Sequence, residues 1–334
     1  MKYLKILPSE TDYQSYINGG DYVTPHVVLV RDSNAVKYQT YIAPPPPINV
    51  GDVAYWDGSS VKTVPLSNYN IGLGTPVGVV MIANNFLPDG KARIISLNDM
   101  RAPDGYYSMA WYLCDEIGDG WFTDSSTPNF EYVPTTDNMG STTPGYNDSA
   151  YLPRDKNSWY GPYSYVDPLV KYYADYEDYM PYIPSPYLSD GSFNPQYSAY
   201  IEGGNALSDF NGLSNTQLLV NESERYHAAH ACWNYKDAAN SNLQWYLPAI
   251  GELGLLMPRF ELINQSIQSL IDMGVSSIER VNDGFGYSYW SSSEEYYPSG
   301  EGYMSYSLNP YTGHLCGYDK GDESSFYVRA VASL

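Results

Sequence analysis

The segment from Tyr287 to Leu334 carries the most chemically specific pattern in this sequence. Tyrosine, serine, asparagine, aspartate, glycine and histidine recur there on an alternating frame, and the segment closes with Tyr327-Val328-Arg329-Ala330-Val331. Tyrosine offers a large, rigid contact with only two side-chain torsions, and the small polar residues add adaptable hydrogen bonds. At alternate strand positions, these residue types indicate non-covalent recognition by a surface.

A β-hairpin is predicted inside this segment. Apolar and polar residues alternate over 304–308, Asn309-Pro310-Tyr311-Thr312-Gly313 supplies a turn, and 314–316 begins the return strand. Successive strand residues point to opposite faces. The pattern therefore predicts one apolar face and one small, polar face that includes Ser305 and Ser307.

His227, His230 and Cys232 form a second group that could do chemistry, because a helix would bring them close enough to ligate a metal. Three ligands on one short helix rarely converge without a fourth from elsewhere. The sequence therefore favours surface histidines and a packed cysteine. No catalytic residue, metal site or cofactor is assigned.

Composition limits the classes of partner. The 334 residues include 17 Lys and Arg against 38 Asp and Glu, a net charge of −21 that repels nucleic-acid phosphates and anionic lipid. No segment has the length of apolar sequence that a membrane span or signal peptide needs. Three cysteines without paired spacing favour folding in a reducing cytoplasm.

The elements that must position the C-terminal segment begin with a β-rich module over residues 1–75. Residues 22–42 are extended in pattern, with Val27–Val30 as a strand, and the four prolines at 44–47 form a stiff spacer. Gly51–Gly58 has the alternation and Asp-Gly ending of a hairpin. Two further strands are predicted at 77–82 and 91–97.

A Tyr-rich insertion over about 124–222 shows no periodic element, and two helices follow it. The first is predicted within Glu224–Ala239. The second begins after Pro248, is interrupted at Pro258 and ends at Gly274. Strands return after Arg280, so an α+β fold is predicted.

Three motifs occur in order in the C-terminal third: Trp-Tyr-Leu-Pro-Ala-Ile-Gly-Glu-Leu at 245–253, Tyr-Trp-Ser-Ser-Ser-Glu at 289–294 and Val-Arg-Ala-Val at 328–331. Together they resemble the C-type-lectin-like domain shared by variable proteins of diversity-generating retroelements, phage tropism determinants and relatives of the formylglycine-generating enzyme. The resemblance covers about residues 225–334 and implies such a domain over 76–334, with two helices, a mixed or antiparallel sheet and a terminal hairpin.

In retroelement variable proteins, adenine replacement limits varied positions to types such as Tyr, Ser, Asp, Gly, His, Cys and Asn. The resemblance thus implies a variable region over about 287–327. Its candidate contact positions are Tyr296, Tyr297, Ser305, Ser307, Asn309, Tyr311, His314, Cys316, Tyr318, Asp319, Asp322, Ser324, Ser325 and Tyr327. The candidate scaffold positions are Trp245, Pro248, Glu252, Trp290, Met304, Lys320 and Arg329.

The function expected from this resemblance is receptor binding by a phage tail-fibre-tip adhesin. A protein or glycan receptor on a bacterial surface and virion components at the N-terminal module are the expected partners of a homo-oligomer, with a trimer possible. The expected location is the virion, after folding in the host cytoplasm, or alternatively the bacterial cell surface. A structural virion or cell-surface decoration protein is the alternative, and a formylglycine-generating-type oxidase comes third, since no matching cysteine pair is present.

Overall fold

The computed structural model describes residues 4–7, 27–32, 35–39, 48–84, 86–87, 89–102, 105–106, 108–112, 150–151, 188, 194–196, 206–281, 288–295, 304–310, 314–319 and 326–334. The chain divides into two compact units, Met1–Pro47 and Ile48–Leu334.

The first unit contains a sheet of three strands, β1 (Leu4–Leu7), β2 (Val27–Asp32) and β3 (Ala35–Gln39). Strand β2 lies in the middle, parallel to β1 and antiparallel to β3. The strand predicted at Val27–Val30 is therefore confirmed, within a longer element.

The second unit contains the remaining strands and the helices. Its strands are β4 (Val53–Trp56), β5 (Val61–Val64), β6 (Thr75–Ile82), β7 (Arg93–Asp99), β8 (Ser108–Met109), β9 (Ala150–Tyr151), β10 (Trp245–Tyr246), β11 (Tyr289–Glu295), β12 (Met304–Leu308), β13 (His314–Asp319), β14 (Phe326–Tyr327) and β15 (Arg329–Ser333). The α-helices of eleven, seven, seven and thirteen residues among its described residues are α1 (Gly212–Glu222), α2 (His227–Trp233), α3 (Ile250–Leu256) and α4 (Phe260–Asp272).

Six of these strands form one sheet in the order β10-β15-β7-β6-β4-β5, with every neighbouring pair antiparallel. The hairpin predicted from Gly51–Gly58 is present as β4 and β5, and the strands predicted at 77–82 and 91–97 are β6 and β7. Because β4 pairs with β6 as well as β5, residues 48–75 belong to the second unit. The predicted domain boundary near 75 is therefore corrected to Pro47.

The apolar run in β6 is buried on both faces of this sheet, as a continuous apolar strand requires. On one face, Val79 and Met81 share a core with Ile263 and Ile267 of α4. On the opposite face, Val80 belongs to a second core, which includes Cys232 of α2 and the indoles of Trp111, Trp245 and Trp290. The sheet thus divides two hydrophobic cores.

The C-terminal helices end and break where their prolines and glycines predict. A single 3₁₀ turn at Met257–Arg259, containing Pro258, separates α3 from α4. Gly274 has a φ of +92°. Its N–H donates to the Ile271 carbonyl and the Val275 N–H donates to the Leu270 carbonyl, which closes α4.

Helix α1 lies inside the segment that was predicted to lack periodic structure, and the first predicted helix shortens to α2. The buried face of α1 includes Gly212, Asn215 and Thr216 beside Leu219, so its sequence has no apolar stripe to reveal it. The α+β class is confirmed, with mostly antiparallel pairing and more helices than the two predicted. Among the described residues, no helix has the length and apolarity to cross a bilayer.

Candidate ligand-binding surface

The predicted C-terminal hairpin lies inside a second six-stranded sheet, ordered β8-β14-β11-β12-β13-β9. Strands β12 and β13 pair antiparallel, with Ser305 opposite Tyr318, Ser307 opposite Cys316 and Leu308 opposite Leu315. The hairpin strands are thus confirmed, and the connection between them falls at 309–313. We call positions 309–319, the turn and β13, the hairpin surface.

One face of β12 is apolar and buried, as the alternation predicts. Tyr306 and Leu308 are fully buried and share a core with Ile250 and Leu253 of α3. This core face fixes the orientation of the hairpin, because a one-residue slip would move both side chains out of the core.

Ser305 and Ser307, predicted as contact positions, are also buried, at 0% and 1% exposure. Strand β11 has two more residues than β12 between the paired positions Trp290–Ser307 and Glu294–Ser305, which makes an irregular bulge. The Ser305 hydroxyl lies 2.9 Å from the Ser293 carbonyl and bonds to it. Their assignment as exposed contact positions is therefore wrong, since Ser305 bonds to the bulge and Ser307 is buried beside it.

The bulge is held by further hydrogen bonds from buried side chains. The Trp111 indole N–H donates to the Ser291 carbonyl at 2.7 Å, and the Ser291 hydroxyl donates to the Tyr306 carbonyl at 2.8 Å. The Trp290 indole N–H donates to the Met109 carbonyl at 2.9 Å. The Ser291 carbonyl in the bulge is thereby satisfied, and the side chains of β11 bond to β12 and β8. Strand β11 is therefore a fixed base for the hairpin.

The structure describes the other predicted contact positions to different extents. Asn309 and Tyr327 are partly exposed, and the Tyr327 ring lies 5.7 Å from that of Tyr289, centroid to centroid. For His314, Cys316, Tyr318 and Asp319 the structure gives the backbone position in β13. Outside the described residues lie Tyr296, Tyr297, Tyr311, Asp322, Ser324 and Ser325, together with the scaffold candidate Lys320.

Arg329 is a buried cation that joins three parts of the scaffold. Its Nη1 lies 3.2 Å from Asp99 Oδ1, and its Nε and Nη2 donate to the carbonyls of Ser96 and Glu279 at 2.9 and 2.6 Å. The Tyr289 hydroxyl bonds to both oxygens of Asp99 at 3.1 Å. The cluster ties β15 and β7 to the first residue of β11.

Burial raises the pKa of Asp99 to about 6, although the Arg329 charge opposes the shift. The folded protein therefore holds this proton more tightly than the unfolded chain does. The contribution of Asp99 to stability must then fall as pH rises from about 4 to about 6. We expect a decline of at most about 1.4 kcal/mol per pH unit from this group.

Urea unfolding between pH 4 and 7, compared with Asp99→Asn, measures this dependence. Burial also raises the pKa values of Glu252 and Asp209, so a slope of the same sign will persist in the variant. An equal slope in both proteins would contradict the assignment to Asp99.

Glu252 is fully buried at the start of α3 and organises the Leu-Pro motif. Its carboxylate accepts hydrogen bonds from the Arg93 Nε, the Tyr246 hydroxyl and the Ala249 N–H, each at 2.9 Å. The last bond satisfies a backbone donor at the N-terminus of the helix, where a carboxylate is favoured. The Pro248 carbonyl in turn accepts from the Ser292 N–H at 2.8 Å, which links the motif to the bulge.

A polar cluster that sequence reasoning missed joins α1 to the same bulge. The buried Asp209 carboxylate accepts from the Ser293 hydroxyl at 2.5 Å, the Asn215 side chain at 2.8 Å and the Asn211 N–H at 2.9 Å. Ser293 also accepts from the Ile250 N–H at 2.9 Å. The Asp-Phe-Asn-Gly run at 209–212 was the available signal, since Asp and Asn favour turns and helix starts.

Comparison of the chain with protein-family models, curated proteins and solved structures found no match in any of the three. The functional assignment therefore depends on the hairpin surface and the buried frame described above.

The structure places two members of the histidine and cysteine group, Cys232 and His230. Cys232 is fully buried, and burial raises the pKa of its thiol well above the ordinary value. The His230 Nε2 lies 3.1 Å from the Ser223 carbonyl oxygen. The packed-cysteine interpretation is confirmed, and the described part of the chain contains no group of three His, Cys, Asp or Glu residues arranged to hold a metal.

Proposed function

We propose that residues 48–334 form a C-type-lectin-like domain that displays the hairpin surface for receptor binding, as the tip adhesin of a phage tail fibre. The observation that carries this proposal is the contrast between frame and surface. The frame positions Trp245, Glu252, Trp290 and Arg329 are buried. Strand β13 instead carries His, Cys, Tyr and Asp at 314, 316, 318 and 319, within the residue types that adenine replacement can produce.

The frame supports this function because its hydrogen bonds fix β11, the strand that pairs with β12 of the hairpin. The Trp111 indole donates to the Ser291 carbonyl of β11, and the side chains of Trp290 and Ser291 donate from β11 to the carbonyls of Met109 and Tyr306. The Asp209 and Glu252 clusters hold the helices that pack beside β11. None of these bonds uses a side chain from the hairpin surface. We therefore expect substitution at that surface to leave these particular bonds intact.

The burial of Ser305 and Ser307 moves the proposed contact area away from β11. It comprises the turn at 309–313 and strand β13, with the segment over 320–325 following directly in sequence. Tyr311 and Tyr318 are the proposed principal anchors, because tyrosine gives a large contact area at low entropic cost. His314 and Cys316 would adjust the hydrogen bonding, whereas Asp319 pairs with Met304 and falls on the sheet face of Tyr306 and Leu308.

Attachment of a phage to a cell also requires a higher affinity than one such binding site provides. Several copies at one fibre tip raise avidity by roughly 10² to 10⁴ without new contacts. We therefore propose a homo-oligomer, with the unit Met1–Pro47 used for assembly on the virion. Its separation as a compact unit supports that role.

We expect the double variant Tyr311→Ala, Tyr318→Ala to reduce adsorption to intact bacterial cells at least about tenfold, because it removes two contact rings. Its thermal midpoint should lie within about 2 °C of the parent, because the frame is untouched. Adsorption to a panel of bacterial strains and thermal unfolding measure the two effects. Tyr106→Ala is the matched control, since Tyr106 is 70% exposed and lies beside β8, at the opposite edge of the sheet.

Unchanged adsorption with an unchanged midpoint would contradict the receptor-binding role and favour assembly by the terminal sheet. A genomic observation tests the diversification separately. A nearby reverse transcriptase with a template repeat that differs from the 3′ end at adenines is expected, and invariant termini among close relatives would contradict it.

A further inference from the structure

Two pairs of large aliphatic side chains are exposed on the second unit. The loop patch consists of Ile71 and Leu73, in the connection from β5 to β6, and the helix patch consists of Leu213 and Leu218 on α1. Ile71 is 59% exposed and Leu218 is 47% exposed. Single exposed apolar residues are common on soluble proteins, whereas grouped ones mark contact surfaces. The two patches are therefore candidates for contact with another protein.

The loop patch is held on fixed backbone. The Tyr69 hydroxyl donates to the Gly74 carbonyl at 2.9 Å, and the Asn70 side chain accepts from the Gly72 N–H at 3.1 Å. Gly74 also approaches β4 so closely that an added Cβ would collide with the Trp56 carbonyl. Because the loop is already ordered, binding through it costs little conformational entropy.

The helix patch is fixed in a comparable way. The Leu247 N–H, directly after β10, donates to the Thr216 hydroxyl at 2.9 Å, and this hydroxyl donates to the Gly212 carbonyl at 2.7 Å. An added Cβ at Gly212 would collide with the Glu252 carboxylate of α3. Helix α1 is therefore held against both β10 and α3.

The two patches lie at opposite edges of the sheet ordered β10-β15-β7-β6-β4-β5. The loop returns from the edge strand β5 past β4 to β6, and the Tyr69 ring lies 5.8 Å from that of Tyr55 in β4, centroid to centroid. Helix α1 bonds to the residue after β10, which is the strand at the other edge. The patches of one copy are thus apart, but the loop patch of one copy can meet the helix patch of the next.

Both patches belong to segments without charged residues. None occurs from position 63 to position 88 or from position 210 to position 221. In a chain with a net charge of −21, contact between two copies elsewhere would bring acidic side chains together. These neutral segments therefore allow two copies to approach at the least electrostatic cost.

We propose that the loop patch of one copy packs against the helix patch of a second copy, and that repetition of this contact closes a ring. The inference supplies the contact for the homo-oligomer and therefore rests on the proposed function. A contact between two different patches is head to tail, and it forms a closed ring when the rotation between copies permits. Each copy then uses both of its patches.

The test measures self-association of the full chain by sedimentation velocity over a range of concentrations. Ile71→Glu with Leu73→Glu changes the loop patch, and Leu213→Glu with Leu218→Glu changes the helix patch. We expect the parent to self-associate and each double variant to raise the dissociation constant at least about tenfold, because a carboxylate buried in an apolar contact is costly.

Leu262→Glu with Met273→Glu is the matched control. Both residues lie at exposed positions on or directly after α4, outside the two patches. We expect this variant to self-associate as the parent does. Thermal midpoints within about 2–4 °C of the parent show that all three variants fold.

A mixture of the two patch variants identifies the kind of contact. One variant retains the helix patch and the other retains the loop patch, so a mixture should form dimers through one intact contact but no ring. A contact between two copies of the same patch would not be restored by mixing. Fluorescent labelling of one variant measures the mixed dimer.

Self-association at the parent's level in either patch variant, or no association in the mixture, would overturn the inference. A parent that stays monomeric would overturn it together with the proposed homo-oligomer. If the inference failed while the double variant of Tyr311 and Tyr318 lost adsorption, the receptor-binding function would stand without this contact.

Discussion

Replacing Arg329 with alanine is expected to lower the free energy of unfolding by about 3–5 kcal/mol. Arg329 is 2% exposed, and its guanidinium is paired with buried Asp99. Its removal leaves that carboxylate either charged without its partner or protonated, and leaves the Ser96 and Glu279 carbonyls without these donors. Urea unfolding at pH 7 measures the loss.

Two variants make this experiment decisive. Arg329→Lys keeps the charge but lacks the planar fork, so we expect a smaller loss that shows the value of the geometry. Arg280→Ala removes an exposed arginine and is expected to change stability by no more than about 0.5 kcal/mol. A loss below about 1 kcal/mol for Arg329→Ala would mean that the cluster does not anchor β15.

Replacing Trp290 with alanine is expected to cost about 3–5 kcal/mol as well, through a different mechanism. The indole is fully buried, its ring lies 4.6 Å from Phe326 centroid to centroid, and its N–H donates to Met109. Alanine leaves a cavity between β11 and its neighbours and an unpaired carbonyl. Because β11 is the base of the hairpin, we also expect faster amide exchange in β12.

Trp290→Phe separates the two parts of this effect. Phenylalanine fills most of the cavity but cannot donate to the Met109 carbonyl, so we expect a loss of about 1–3 kcal/mol. Equal losses for alanine and phenylalanine would assign the whole effect to the hydrogen bond. Unchanged exchange in β12 after Trp290→Ala would contradict the role of β11 as a base for the hairpin.

The hairpin was predictable because its signal is local. Alternation over 304–308 and the turn residues at 309–313 depend only on neighbours in sequence. The burial of Ser305 and Ser307 was not predictable in this way, because it depends on the two additional residues in β11 between Trp290 and Glu294. Serine occurs both on exposed strand faces and beside buried bulges. Only the conformation of the paired strand decides which of the two applies.

Other differences between prediction and structure have the same origin. The four prolines at 44–47 coincide with the observed boundary between the two units, but the hairpin after them was assigned to the wrong unit because its partner β6 follows later in the chain. Helix α1 buries the polar residues Asn215 and Thr216. Its sequence therefore lacks the apolar periodicity from which a helix is predicted. Strand β9 has two residues, too few for any periodic signal.

The frame was predicted through the three motifs that carry the resemblance and through residue types that adenine replacement does not produce. Trp245, Glu252, Trp290 and Arg329 are buried with specific hydrogen-bond partners. Their partners, however, lie far away in sequence, as Arg93 does from Glu252 and Asp99 from Arg329. Asp209 and Ser293 escaped prediction because short polar residues in a turn and a strand are common in any sequence.

The proposed function requires a hairpin surface that tolerates replacement and a buried frame that does not, and a library of variants tests this difference most directly. Positions Tyr311, His314, Cys316 and Tyr318 would be varied together among Tyr, Ser, Asp, Gly, His, Cys and Asn, and displayed variants sorted on intact bacterial strains. We expect most members to unfold within a few degrees of the parent, about 2–4 °C, and different members to bind different strains. A library whose members mostly fail to fold, or all bind the same strain as the parent, would contradict it.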